Sequence, residues 1–281
     1  MKSIDTTAPG TPNSFRTESS RQPKFLGAPV YGIRGGMQAL DRGSREVARG
    51  FGKAAVLTHH EKSSGGVALE SDDERLVAHM FNVDPDVGGY DPQAFAVELT
   101  TGSIAWNDEE KASLRARARR HGSKAIFYTP DFMLRWTSGI KAAVEVKFEK
   151  FLGDGQYQKK LELAQRILYS LGFEFLQIVT PSSYRHPLRT NLPLLHQANK
   201  RRDLWPGPEI SDRIQALHEG GAKTMGHYLG GLDLDARMGP LLLVSGHLEA
   251  DVVEHALCFA TPVSPAFGDL SHLQLVGRVA K

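Results

Sequence analysis

Residues 128–147 read YTPDFMLRWTSGIKAAVEVK, and charged side chains alternate there with apolar ones in a way that solvent-facing sequence rarely needs. The spacing predicts a strand opening at Asp131, a turn at Thr137-Ser138-Gly139 and a returning strand AAVEVK, so that Glu145 and Lys147 leave one face while Val144 and Val146 leave the other. Two carboxylates and an amine therefore meet on one hairpin. An ion taken out of water costs several kcal/mol or shifts its pKa unless it meets a counter-charge, so the pattern reads as a divalent-metal site. The competing reading is an exposed sheet face carrying one cross-strand ion pair, worth roughly 0.2–1 kcal/mol. The apolar flanks Phe132 and Leu134, and the run up to Val146, weigh against it.

The length of the turn decides whether those side chains can converge. A two-residue turn at Ser138-Gly139 sets Asp131 opposite Val146 and points it away from Glu145. An odd connection centred on Gly139 sets Asp131 opposite Lys147 and Met133 opposite Glu145, with the three functional side chains on one face. The expectation is an odd connection or a β-bulge.

A strand opening with Pro-Asp, followed within one hairpin by Glu-x-Lys, resembles the signature of the PD-(D/E)xK nuclease superfamily. More of the chain is similar to one branch, the TnsA endonuclease subunit of bacterial transposons with a heteromeric transposase. The likeness runs upstream through ALESDDERLVAHMFNVDPDVGGYDPQAFAVEL at 68–99 and downstream through KKLELAQRILYSLGFEFLQIVT at 159–180. It implies a restriction-endonuclease-like mixed sheet flanked by helices, with Glu74, Asp131, Glu145 and Lys147 as the catalytic set. The metal ligands it implies are Glu74, Asp131, Glu145 and Val146, holding Mg2+ or Mn2+. The best-known member has glutamine where this chain has Glu145, which places the sequence nearer the broader superfamily pattern. The resemblance further implies cleavage of the 5' ends of a transposon. The implied partners are DNA at the transposon ends, a TnsB-like transposase, and a TnsC-like AAA+ ATPase engaged through the C-terminal domain.

Glu74 has a second explanation. Ser71-Asp-Asp-Glu74 is a capping box, in which the serine hydroxyl and the glutamate satisfy each other's backbone N–H groups at a helix start. Its helical spacing with Val77 and Phe81 nevertheless leans the carboxylate toward the core, and Glu70 is the alternative ligand one turn earlier. Gathered carboxylates repel one another until a divalent cation neutralises them, and hard oxygen donors select magnesium or manganese over zinc. Such an ion activates water and stabilises the leaving 3'-oxygen, which predicts a 5'-phosphate and a 3'-hydroxyl as products.

Other chemistries fit less well. Eleven histidines and one cysteine form no zinc spacing, and His59-His60 is an isolated doublet. No phosphate loop ending in Gly-Lys-Ser/Thr and no Gly-x-Ser-x-Gly elbow is present, so no nucleotide cofactor is expected. A single Cys258 excludes internal disulfides, and no apolar run reaches membrane-spanning length, which together predict a cytoplasmic protein. The net charge is only +2, yet 111–124, KASLRARARRHGSK, holds six basic residues and no acid. Arg115, Arg117, Arg119, Arg120 and Lys124 are candidate phosphate contacts, or simply a solvated helix face.

At 281 residues and 41% hydrophobic composition, two domains are expected. Residues 1–26 are Ser-, Thr-, Pro- and Arg-rich and read as a flexible tail. A nuclease domain with a Gly-rich basic lead-in is expected over 27–204, with a helix at 156–171 and a buried central strand at 175–179. Trp205-Pro-Gly-Pro208 reads as a linker. Beyond it, 209–281 shows three helical segments and a β-like DVVEHALCFATPV, an order that resembles a winged helix. A free-standing restriction or repair nuclease of the same superfamily, and a non-catalytic DNA-binding or assembly module, are the competing functions.

Overall fold

The central strand of the molecule is apolar on both sides because both of its faces are covered. A computed structural model describes residues 56–63 and 65–281, so the predicted tail at 1–26 and most of the basic lead-in lie outside the described residues. A hairpin of β1 (Val56–His60) and β2 (Gly65–Leu69) leads into helix α1 (Asp72–Val83). Strand β3 (Val87–Pro92) follows, then a small antiparallel sheet of β4 (Ala96–Glu98), β5 (Ile104–Ala105) and β6 (Phe127–Tyr128), with helix α2 (Asp108–Arg120) between β5 and β6. The main sheet is completed by β7 (Phe132–Trp136), β8 (Lys141–Phe148) and β9 (Phe173–Thr180), with helix α3 (Gly155–Ser170) joining the last two. Its order is β3-β7-β8-β9, antiparallel except for the β8–β9 pair.

This is a mixed α/β architecture, in which the parallel β8–β9 pair is closed by the crossover helix α3. Along β8 the side chains divide between two cores. Ala142 and Val144 join Val77, Phe81 and Leu134 in one. Ala143 joins Met133, Leu161, Ala164 and Leu168 in the other. The predicted helix at 156–171 is therefore α3; of the expected stripe Tyr157, Leu161, Ala164, Leu168 and Leu171, the middle three are buried, Tyr157 is half-buried, and Leu171 caps the helix and is exposed. Strand β9 is not central as expected. It lies at the sheet edge beyond β8, and the chain terminus covers it through the Ile178–Ala280 bridge and a reciprocal pair of backbone hydrogen bonds between Gln177 and Lys281.

The β7–β8 connection has odd parity, as the site requires, but its centre is one residue earlier than expected. Arg135 pairs Lys141 and Phe132 pairs Val144, which leaves the three residues Thr137, Ser138 and Gly139 as the loop. Trp136 donates its N–H to Ile140 O at 2.9 Å and accepts from Gly139 N at 2.9 Å, and Gly139 has φ +88°. That is a turn followed by a left-handed glycine, which fixes the third loop position as Gly. Continuing the register, Asp131 aligns with Glu145 rather than with Lys147, and Met133 faces Ala143 rather than Glu145. Asp131 itself precedes β7 rather than opening it.

Helix α4 (Pro187–Lys200) packs on α1 and carries the first core onward into α5 (Ser211–Glu219), α6 (Met225–Leu232), α7 (Met238–Val244) and α8 (Leu275–Val279). The three helices predicted after residue 209 are present as α5, α6 and α7. The β-like reading of 251–263 is corrected: that stretch is turn and loop, and only the two-residue strands β10 (Leu248–Glu249) and β11 (Ser264–Pro265) flank it. Its alternating apolar residues are consumed instead by burial of Val252 and Val263 and by Asn191, whose side chain bonds Val252 O, His255 O and Leu257 N. No helix among the described residues is long and apolar enough to cross a membrane.

Candidate active site

Three elements meet at the C-terminal half of β8. The hairpin delivers Asp131, Glu145 and Lys147, the preceding strand β6 delivers Tyr128, and the first turn of α3 delivers Tyr157. Asp131 Oδ2 accepts the Val146 N–H at 2.7 Å, which locks the loop before β7 onto β8. Glu145, only 3% exposed, accepts from the Tyr128 hydroxyl on Oε2 at 2.8 Å. Its Oε1 takes the Lys147 ammonium at 2.6 Å and the Tyr157 hydroxyl. Lys147 also donates to Tyr157 Oη at 2.8 Å and lies 4.2 Å from the centre of that ring. The buried carboxylate is thereby paired on both oxygens, the condition under which an interior charge is tolerated.

Electrostatics at the site follow from this crowding. Burial, then the carboxylates of Glu145 and Glu74, push the Asp131 carboxyl well above its ordinary range, against the opposing pull of the Val146 N–H and Lys147. Burial and the neighbouring Glu145 raise both tyrosines as well, so both hydroxyls stay protonated and remain donors. Neither tyrosine stood out in the sequence as functional. Tyr157 falls at the start of the apolar stripe of α3, where a tyrosine passes for core, and its polar tip ten residues past Lys147 is the one signal in the sequence.

Glu74 realises its capping role. Its Oε1 accepts from Ser71 Oγ at 3.1 Å, its Oε2 accepts the Glu70 N–H at 2.9 Å, and its own N–H donates to Ser71 Oγ at 3.1 Å. It is 7% exposed and its charge is felt at Asp131. Among the described residues no group of three His, Cys, Asp or Glu is gathered closely enough to hold a metal ion. Asp131 lies close enough to Glu145 and Glu74 to feel both charges, and magnesium commonly uses one or two protein carboxylates and takes its other oxygens from water and phosphate.

The predicted basic run forms most of α2. Asn107 caps the helix through Glu110 N, acids fill its first turn, and Arg117, Arg119 and Arg120 fill its last, an arrangement that already suits the helix dipole. Arg115, Arg117, Arg119, Arg120 and Lys124 are exposed, whereas Lys111 is buried. Lys111 and Arg115 lie 5.6 and 5.4 Å from the ring centre of Phe127, next to Tyr128, and this ties the helix to the strand that donates to Glu145.

Compared with known families, residues 85–180 match the model described as TnsA-like endonuclease N terminal. The match covers 96 of the 281 residues, and over this segment the chain is similar to that family. No curated protein matches the chain. The matched segment contains Tyr128, Asp131, Glu145, Lys147 and Tyr157 together with all of α2, while Glu74 and α1 lie just upstream of it.

Proposed function

We propose that the protein is a metal-dependent DNA endonuclease, the TnsA-like subunit that cuts the 5' ends of a transposon during cut-and-paste transposition. The observation that carries this reading is the Asp131, Glu145 and Lys147 set, hydrogen-bonded around the buried Glu145 at one end of the sheet, inside the segment that matches the TnsA-like model. Asp131, Glu145 and the Val146 carbonyl would hold Mg2+ or Mn2+, and Glu74 adds negative potential beside them. When bound, such an ion polarises the phosphodiester and activates a water molecule. Glu145 and Tyr157 hold the Lys147 ammonium in one place, and from there it orients the attacking water or offsets charge on the phosphate. Tyr128 and Tyr157 keep Glu145 aligned, and the exposed arginines of α2 with Lys124 contact duplex phosphates, each contact adding about 0.9 to the salt slope.

In the same reading α5, α6, α7 and the β10–β11 ladder act as a winged-helix-like module. Glu249 lies in β10 and Asp251 and Glu254 follow it in sequence, which favours contact with a protein, a TnsC-like ATPase, while a TnsB-like transposase processes the 3' ends. The test is cleavage of a transposon-end duplex by the wild type and by Asp131→Ala, in Mg2+, in Mn2+ and in EDTA. Metal-dependent 5'-strand nicking that Asp131→Ala abolishes is the expected result. Cleavage unaffected by the substitution, or by chelation, would overturn the assignment.

A further inference from the structure

An aromatic platform stands at the same end of β8 as the candidate active site. Phe151 is 74% exposed and Tyr184 is 79% exposed, and neither takes part in either hydrophobic core. Phe148, the last residue of β8 and on the strand face opposite Lys147, stacks on Phe151 with ring centres 5.9 Å apart and 27° between planes. The two loops that carry these rings are stitched together by Glu149, whose N–H reaches Thr180 O at 3.0 Å and whose carboxylate accepts the Ser182 N–H at 2.9 Å.

Beneath the rings lies a cation that is itself buried. Arg189 has a side chain only 7% exposed, and its guanidinium sits 5.8 Å from the Phe148 ring centre and 5.4 Å from that of Tyr184. It is pinned by Asp73, by Asp72 at 3.6 Å and by Pro181 O at 2.6 Å. Thr180 extends the same network, donating to Asp73 at 2.7 Å and to the Lys147 carbonyl at 3.2 Å. The platform is thus rigidly tied to the backbone of Lys147 and to the helix turn that carries Glu74. Lys150 and Arg185, both exposed, lie next in sequence to Phe151 and Tyr184.

We infer that this platform binds an unpaired nucleobase at the same end of the sheet as the cleaved phosphodiester, so that the substrate is DNA locally opened near the cut rather than an intact duplex. Open aromatic faces flanked by cations match a stacked base with its phosphate, and every base offers such a face whatever the sequence. The inference rests on the nuclease reading above and names its substrate class.

The experiment measures, by fluorescence anisotropy in EDTA, binding of the full chain to a duplex with a short 5' overhang and to a blunt duplex of the same sequence. The Phe151→Ala/Tyr184→Ala variant is expected to lose roughly tenfold affinity per stacked base for the overhang while staying within about twofold on the blunt duplex, and Tyr184→Phe should retain both. Equal losses on the two probes, or no loss on the overhang, overturn the inference; the second outcome would assign the face to a protein. Cleavage by Asp131→Asn is scored separately: nicking that survives this substitution defeats the nuclease reading and leaves the overhang measurement standing on its own.

Discussion

Tyr128→Phe and Tyr157→Phe remove the same atom from opposite sides of one carboxylate, and the structure ranks their effects. Tyr128 is 2% exposed, and its hydroxyl is the partner of Glu145 Oε2 at 2.8 Å. Losing it strands a buried charged oxygen, a loss of about 1.5–3 kcal/mol for a hydrogen bond to an ion. Tyr157 is less buried, and when its hydroxyl goes, Oε1 keeps the Lys147 ammonium at 2.6 Å. The expected loss there is smaller, about 0.5–1.5 kcal/mol. Against a total stability of roughly 5–15 kcal/mol the difference is measurable. In urea titrations followed by circular dichroism, with a slope of about 3 kcal/mol per molar, Tyr128→Phe should lower the midpoint by roughly 0.5–1 M at unchanged slope. Tyr157→Phe should lower it by less than about half that amount. A Tyr157→Phe loss equal to or above that of Tyr128→Phe would refute the assignment of Glu145's two oxygens.

Asp131→Asn replaces a buried carboxyl that faces two other acids by a neutral group of the same shape. Its melting temperature in EDTA should equal or exceed the wild type while metal-dependent cleavage disappears, and a clear drop in melting temperature would count against the crowding described. Glu74→Gln keeps a residue competent in a capping box, so stability should fall by less than about 0.5 kcal/mol, while Mn2+ affinity measured by calorimetry should weaken if the carboxylate's charge serves the site. The buried, stacked pair His79–His196 has ring centres 4.3 Å apart, and burial holds the two imidazoles down at about 4 and about 3. The unfolded chain protonates both near 6.5 and the folded chain does not, so stability is full above that value and is lost as pH falls toward 4, by a few kcal/mol in all. Midpoints in urea between pH 7 and 4.5 test this, and His79→Phe/His196→Phe should flatten the profile.

The alternating hairpin was legible because a period of two is a direct geometric consequence of a strand. Asp131, Glu145 and Lys147 could be placed on a common face from spacing alone. The pairing inside that hairpin was less legible, since Thr137-Ser138-Gly139 admits loops of the same parity centred on different residues, and a shift of one centre moves the partner of Asp131 by two positions. Tyr128 and Tyr157 were hidden for another reason. A tyrosine on an apolar stripe looks like core until the third dimension brings its hydroxyl to a charge. Strand β9 misled through composition, because FLQIV is apolar enough for a central strand and its outer edge is covered by residues a hundred positions away.

Glu74 shows where reading from sequence meets a physical limit. A capping box and a metal ligand at a helix start ask for the same residue type at the same place, and the carboxylate satisfies the first demand while adding its field to the second. Asp73, one residue earlier, ties the same helix turn through Arg189 and Thr180 to the Lys147 carbonyl. The first turn of α1 is therefore fixed to β8 by polar contacts that span more than a hundred residues of chain. Local patterns announce each acid separately; only the fold makes Asp72, Asp73 and Glu74 an anchor between the helix and the site.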